Sequence, residues 1–296
     1  MKDALALLKQ AAWDWFDDEA PTQGAAVAFY TVFSLAPLFI ITVSIAGFFF
    51  GREAAQGQIF GQLHALIGET SAAAVEDVVE SAASKPATGV VATIVGFVAL
   101  IIGASGVFAQ MQASLNAIWR VQPKPGRGVF WGLVRDRILS FGFILVTGFL
   151  LLISLILSAI IAFIGEWFGG FVPGTETLIQ ILNAILSLAI ITLLFATIFK
   201  FLPDVKIAWR DVWIGALITA GLFTVGKEVL GLYLGKSGVA SSYGAAGSLI
   251  VLLLWVYYSA QIVFFGAEFT KAYAKRFGSH VTPAEYAVAV PKGGST

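Results

Sequence analysis

Polar and charged positions along this 296-residue chain are bunched, and long apolar runs separate the bunches. About 20 mostly apolar residues carry a helix across the hydrocarbon core of a bilayer. Six runs reach that length: 25–50, 89–110, 138–165, 178–199, 212–232 and 247–267. The fifth is interrupted by Lys227 and Glu228. The pattern predicts an all-α, polytopic membrane protein with six transmembrane helices. Ahead of the first run, Leu5, Leu8, Ala12 and Trp15 alternate with Lys2, Lys9, Asp14 and Asp17. That spacing predicts a short amphipathic helix lying at the interface. Between the first two runs, segment 51–86 carries Ile59, Leu63, Leu66 and Ile67, then Val75, Val78 and Val79. Two short amphipathic helices capping the outer mouth of the bundle are expected there, as packing or as a gating element. Residues 1–278 read as one transmembrane domain. The tail 279–296, with Pro283, Pro291 and a GGST end, reads as a disordered cytoplasmic extension. The first run is too long for a signal-peptide core and lacks a small-x-small cleavage site, so it is expected to remain as an anchor.

Composition narrows the class. Apolar residues make up 58% of the chain and charged residues 12%, against about 25% charged in soluble domains. Mean hydropathy is +0.87. With 25 Phe and 8 Trp, the chain cannot stay solvated as a disordered polymer. Eighteen basic residues balance eighteen acidic ones, so no excess positive charge points to nucleic acid. The absence of cysteine excludes disulfides and thiolate chemistry. Two histidines far apart, His64 and His280, offer no metal cluster, and there is no P-loop. No cofactor, no metal, no nucleic-acid partner and no enzymatic activity are expected. The expected partners are membrane lipids.

Charge also sets the orientation, because basic residues accumulate on the cytoplasmic side. Six spans put Lys2, Lys9, Arg120, Lys124, Arg127, Arg135, Arg137, Lys200, Lys206, Arg210, Lys271, Lys275, Arg276 and Lys292 on one side. Arg52, Lys85 and Lys236 fall on the other. Both termini are therefore expected in the cytoplasm. The basic stretch Arg120, Lys124, Arg127, Arg135 and Arg137 is expected at the inner headgroups, where it suits anionic phospholipid.

Some residues depart from plain packing. Pro37 lies mid-span in the first helix, where a missing N–H and a crowding ring predict a kink or hinge. Thr31 and Ser34 sit where hydroxyls can satisfy freed carbonyls. Ionisable groups inside a membrane are expensive and functional by default, which singles out Lys227 and Glu228 as a substrate or ion pathway. Helix neighbours point about 100° apart, so the two are not expected to pair. Lys227 falls near the outer edge of the hydrocarbon, where it can also snorkel to water. Glu268 closes the sixth span at the inner edge, with Lys271 three residues on, within reach of a structural ion pair. Asn116, near the inner end of the second span, suits either a vestibule or hydrogen bonding between helices. Small residues at 96, 103, 106, 215, 216, 220 and 221 suit close helix packing. The turn GKSGVASSYGAAG around Tyr243 reads as a re-entrant segment or an outer hairpin.

Four stretches read together carry a resemblance: AVAFYTVFSLAPLF, QASLNAIWRV, KFLPDVKIAWRDVWIGA and SSYGAAGSLIVLLLWVYYSAQIVFFGAE. In order and spacing the chain resembles the YihY/BrkB family of bacterial inner-membrane proteins, over about residues 5–278. The resemblance implies six helices, an inner-membrane location and cytoplasmic ends, and it supplies no settled activity. The motif positions fall on Tyr30, Pro37, Asn116, Pro203, Trp209, Gly215, Tyr243, Gly244, Trp255, Tyr257, Gly266 and Glu268.

The old ribonuclease label of that family meets no support in the residues. Hydrolysing RNA calls for a metal cluster, a His pair or a base beside phosphate-binding cations, and no RNA-binding module is present. Two readings remain: a transporter or handler of lipids and other amphiphiles, and a non-transporting scaffold that binds envelope partners through its outer cap. Substrate, coupling ion and oligomeric state are not encoded in any motif.

Overall fold

The computed structural model describes residues 2–83, 106–124, 142, 146–150, 153–154, 156–157, 160–161, 175–237, 242–243, 246–278 and 281–291. The expected second span, apart from residues 106–110, and most of the third lie outside them. So do Arg127, Arg135 and Arg137.

The chain opens with α1 (Lys2–Asp17) and α2 (Ala20–Phe50). At the joint, Glu19 adopts a left-handed φ of 53°, and a proline in the first turn of α2 starts that helix. Two shorter helices follow, α3 (Arg52–Ile67) and α4 (Glu69–Ala83). They are divided by Gly51 (φ 85°) and Gly68 (φ 84°), backbone turns that glycine permits without a Cβ clash. Helix α5 covers residues 106–119. The remaining long helices are α6 (Thr175–Phe201), α7 (Trp209–Lys236) and α8 (Gly247–Arg276).

Three helices among the described residues are long and apolar enough to cross a membrane: Thr177–Phe201, Trp209–Lys236 and Gly247–Arg276. Their outward faces carry large apolar groups, such as Leu178, Ile185, Leu217, Val225 and Leu232. So contiguous an apolar surface belongs against lipid. Helix α2 has no charged residue in its 31 positions and is helical throughout, Pro37 included.

Helix α8 is the hub. It packs on α1, α2, α4 and α7, while α6 packs on α7. Phe264, Leu252, Val251 and Ala267 of α8 are fully buried. Close approach to α7 depends on a reciprocal fit. A Cβ at Gly215 would overlap the Thr270 hydroxyl, and a Cβ at Gly266 would overlap the Thr219 hydroxyl. Each threonine donates to the carbonyl four residues back in its own helix, Thr219 to Gly215 and Thr270 to Gly266, both at 2.7 Å. No hydroxyl is left bare, and dispersion contacts rather than hydrophobic expulsion hold the seam.

Residues 281–291, predicted from composition to be disordered, are ordered instead. Strand β3 (Thr282–Pro283) pairs antiparallel with β2 (Val205–Lys206), and β4 (Ala287–Ala289) with β1 (Val121–Pro123). The loops after α5 and α6 present backbone groups that need partners. The tail supplies them: Ala284 N–H donates to the Asp204 carbonyl at 2.9 Å and Val290 N–H to the Arg120 carbonyl at 2.8 Å. Both ends of the described chain therefore lie at one end of the bundle, with α1 packed on the last turns of α8 through Leu7, Ala11, Phe269 and Ala272.

Candidate functional site

Four charged side chains from three parts of the chain converge at that end. Glu268 and Lys271 stand on one face of α8, three residues apart. Asp18 comes from the α1–α2 joint, and Arg120 follows the last turn of α5. Lys271 Nζ lies 2.6 Å from Glu268 Oε2 and donates to Asp18 Oδ2 at 2.8 Å and to the Ile118 carbonyl at 2.9 Å. Arg120 Nη2 meets Asp18 Oδ1 at 3.1 Å. Glu268 is wholly buried and Lys271 nearly so. Neither Glu268 oxygen has a partner of hydrogen-bond geometry among the described residues. The carboxylate therefore depends on charge attraction from one lysine in a medium of low dielectric. Removing one member of such a buried pair costs about 3–5 kcal/mol, because the other is left uncompensated. Burial pushes the Asp18 carboxyl up, but the hydrogen bond and charge of Lys271, aided by Arg120, outweigh it and hold the group below the usual carboxylate range.

Arg120 reaches Asp18 from a left-handed backbone, φ 53°. A non-glycine residue there carries strain of about 1–3 kcal/mol. Its N–H donates to Ala117 and its carbonyl accepts from Val290, so the tail strand helps to hold the turn. Two recesses flank this residue. One of about 430 Å³ lies between α1 and the end of α8, bounded by Leu7, Gln10, Asp14, Arg120, Lys275 and Arg276. The other, about 280 Å³, lies toward the tail strands and shares Arg120, Lys271 and Lys275 with the first.

The other sequence-derived candidates are distributed differently. Lys227 points into the protein with 17% of its side chain exposed, while Glu228 points outward at 74%. Contrary to the expectation from helical angles, their charged ends come within 3.9 Å. Long side chains bend toward each other even when their Cα–Cβ vectors diverge. Asn116 is enlisted structurally: it donates to Asp204 Oδ2 at 2.9 Å and accepts from the Asp204 backbone N–H at 2.7 Å. Gln112 holds the other Asp204 oxygen at 3.1 Å. Tyr243 is exposed in the turn between α7 and α8. Thr31 donates to Val27 at 2.8 Å rather than to Phe33, whose carbonyl Pro37 leaves without a donor. Lys124, expected at the lipid headgroups, donates to the Glu285 carbonyl at 2.6 Å. Arg120 is part-buried, with 26% of its side chain exposed beside Asp18.

Sequence reasoning found Glu268 with Lys271 by spacing but missed Asp18 and Asp204. Asp18 lies 253 residues from Lys271, and no local pattern connects them. Asp204 had a signal in the motif FLPDVK, where an acid follows a proline directly after a span. Among the described residues no group of three or more metal-ligating side chains occurs.

The family model described as Virulence factor BrkB matches residues 13–289. A UPF0761 membrane protein of Pseudomonas paraeruginosa is 30% identical over 271 residues, covering 90% of this chain and 62% of that one. A second, from Methylibium petroleiphilum, is 27% identical over 305 residues, covering 95% and 68%. A third, from Ralstonia nicotianae, is 27% identical and is covered over 55% of its length. The chain thus spans little more than half to two thirds of the curated relatives it matches. No solved structure matches it.

Proposed function

This chain belongs to the BrkB family, and from that membership we propose a non-enzymatic protein of the bacterial inner membrane that moves or handles amphiphilic envelope molecules. Its six spans leave both termini, the basic hairpins and the tail strands in the cytoplasm, in keeping with the bias of basic residues. The observation that carries the reading is the ion cluster of Asp18, Arg120, Lys271 and Glu268. A wholly buried carboxylate whose one ion pair among the described residues is to a lysine is a costly arrangement at the end of an apolar helix. Packing alone is served better by apolar groups of the same volume. An exchangeable charge, neutralised and restored as α1 and α8 shift, gives that expense a use. Lys227, turned inward on α7, is the second charged point on the proposed path.

The test is movement of a fluorescent phospholipid between leaflets of proteoliposomes. The wild-type protein should accelerate it over protein-free vesicles, and Glu268→Gln should slow it by about tenfold, the equivalent of about 1.4 kcal/mol in a barrier. Lys227→Ala should slow it as well. Absence of acceleration by the folded wild-type protein would contradict the reading.

One observation favours a scaffold as the second reading. Glu69, Ala73, Asp77 and Glu80 form an exposed stripe along α4, which otherwise packs on α2, α7 and α8. A basic envelope partner fits that stripe, and crosslinking from position 77 or 80 would capture it.

A further inference from the structure

The recess between α1 and the end of α8 has features that the buried ion cluster does not use. Lys275 lines both recesses beside Arg120 and Lys271. Arg120 and Lys271 are held from below by Asp18, and Arg276 by Asp3. Lys275 has no hydrogen bond or ion pair with any described residue. Among the described charged residues lining the larger recess, only Asp14 is acidic, and it accepts from the Gln10 amide at 3.0 Å. Asp18 and Glu268 are not among the described residues that line it.

Helix α1 adds an independent observation. Its inner face, Leu7 and Ala11, is packed on α8. Its opposite face exposes Leu5, Leu8, Trp13 and Phe16, at 70%, 41%, 64% and 66%. Four large apolar side chains in three turns, beside a basic recess, form a surface with one wet cationic end and one oily side. The same end of the bundle carries exposed Trp209 and Trp213 on α7, rings suited to headgroup depth.

We propose that this recess binds the phosphate-bearing headgroup of an anionic phospholipid from the leaflet nearest the two termini, with its acyl chains along the exposed face of α1. Lys275 is the main contact and Arg120 the second. A recess of about 430 Å³ accommodates a headgroup and not the chains, which leaves the chains to the outer face of α1. Arg120, on its left-handed backbone, both meets Asp18 and lines the recess. The inference concerns binding and holds whether or not the bound lipid is moved.

The full-length protein in detergent micelles, titrated with phosphatidylglycerol or phosphatidylethanolamine and read by native mass spectrometry, tests it. Phosphatidylglycerol should be retained in preference to phosphatidylethanolamine. Lys275→Ala should weaken that retention by about fivefold, as expected for one basic residue near an anionic surface. Lys275→Glu should abolish the preference, while Lys275→Arg should keep it. Because Lys275 makes no hydrogen bond or ion pair with the described residues, these variants should fold as the parent does, and unchanged melting checks that. Arg120→Gly, which relieves the left-handed strain, should also lose retention. Trp13→Ala should weaken lipid retention without creating binding of inorganic phosphate. Equal retention of the two lipids, or a preference untouched by Lys275→Glu, would overturn the proposal. Inorganic phosphate protecting the protein and displacing the lipid completely would overturn it in favour of a soluble anion.

Discussion

Lys271 makes three contacts, to Asp18, Glu268 and the Ile118 carbonyl, and so ties α8 to the α1–α2 joint and to α5. Lys271→Ala leaves Glu268 without its cation and Asp18 with Arg120 alone, and it should destabilise the protein by about 3–5 kcal/mol. The double variant Lys271→Met with Glu268→Gln removes both buried charges and should recover most of that loss. Denaturant titration in mild detergent would measure both, and a double variant no better than the single one would place the cost elsewhere. Half of this arrangement was legible in the chain. The i, i+3 spacing of Glu268 and Lys271 is a local rule that needs no fold. Asp18 is beyond any local rule, since only the docking of α1 on α8 brings it near. Asn116 shows the reverse limit. Its polarity inside an apolar stretch was visible, but its service to Asp204 was not, because a hydrogen bond across 88 residues leaves no mark on spacing.

Among elements, the seam between α7 and α8 gives the sharpest expectation. Gly266→Ala would set a methyl 2.9 Å from the Thr219 Cβ, and overpacking of that kind costs about 1–3 kcal/mol. Adding Thr219→Gly should return most of the lost melting temperature, because space removed on one helix matches bulk added to the other. At the other end, His64 joins α3 to α4 through Glu76 at 2.9 Å and Glu69 at 3.1 Å. The hydrogen bond to Glu76, then that to Glu69, raises its pKa above the ordinary imidazole value. A raised pKa in the folded state stabilises the pair fully below the ordinary value of about 6.5. That contribution is lost as pH climbs through the raised value. The melting difference between wild type and His64→Gln should therefore shrink on going from pH 6 to alkaline pH, and growth instead would show the clamp to be held by the neutral ring. The helical spacing of α1, α3 and α4 was visible in their apolar periodicity. The four strands were not, because two- and three-residue strands fall below any periodic signal and their partners are loops more than 70 residues away.

For the whole molecule, long uncharged stretches announced a membrane protein, and α6, α7 and α8 are long and apolar enough to cross. What sequence spacing leaves open is how such helices bundle, because lipid-facing and helix-facing apolar residues look alike within it. Small residues decide the question locally, as at Gly215 and Gly266, and buried charges decide it at the end where α1 meets α8. The account as a whole depends on which side of the membrane holds that end. The chain has no native cysteine, so single cysteines can be introduced without background. The most direct measurement is labelling of Glu80→Cys on α4 and of Gln122→Cys and Ala289→Cys on the paired strands with a membrane-impermeant maleimide. Position 80 should react in cells with a permeabilised outer membrane and an intact inner one, and positions 122 and 289 only after the inner membrane is opened. Reaction at 122 or 289 in cells with an intact inner membrane, with 80 protected, would contradict the account.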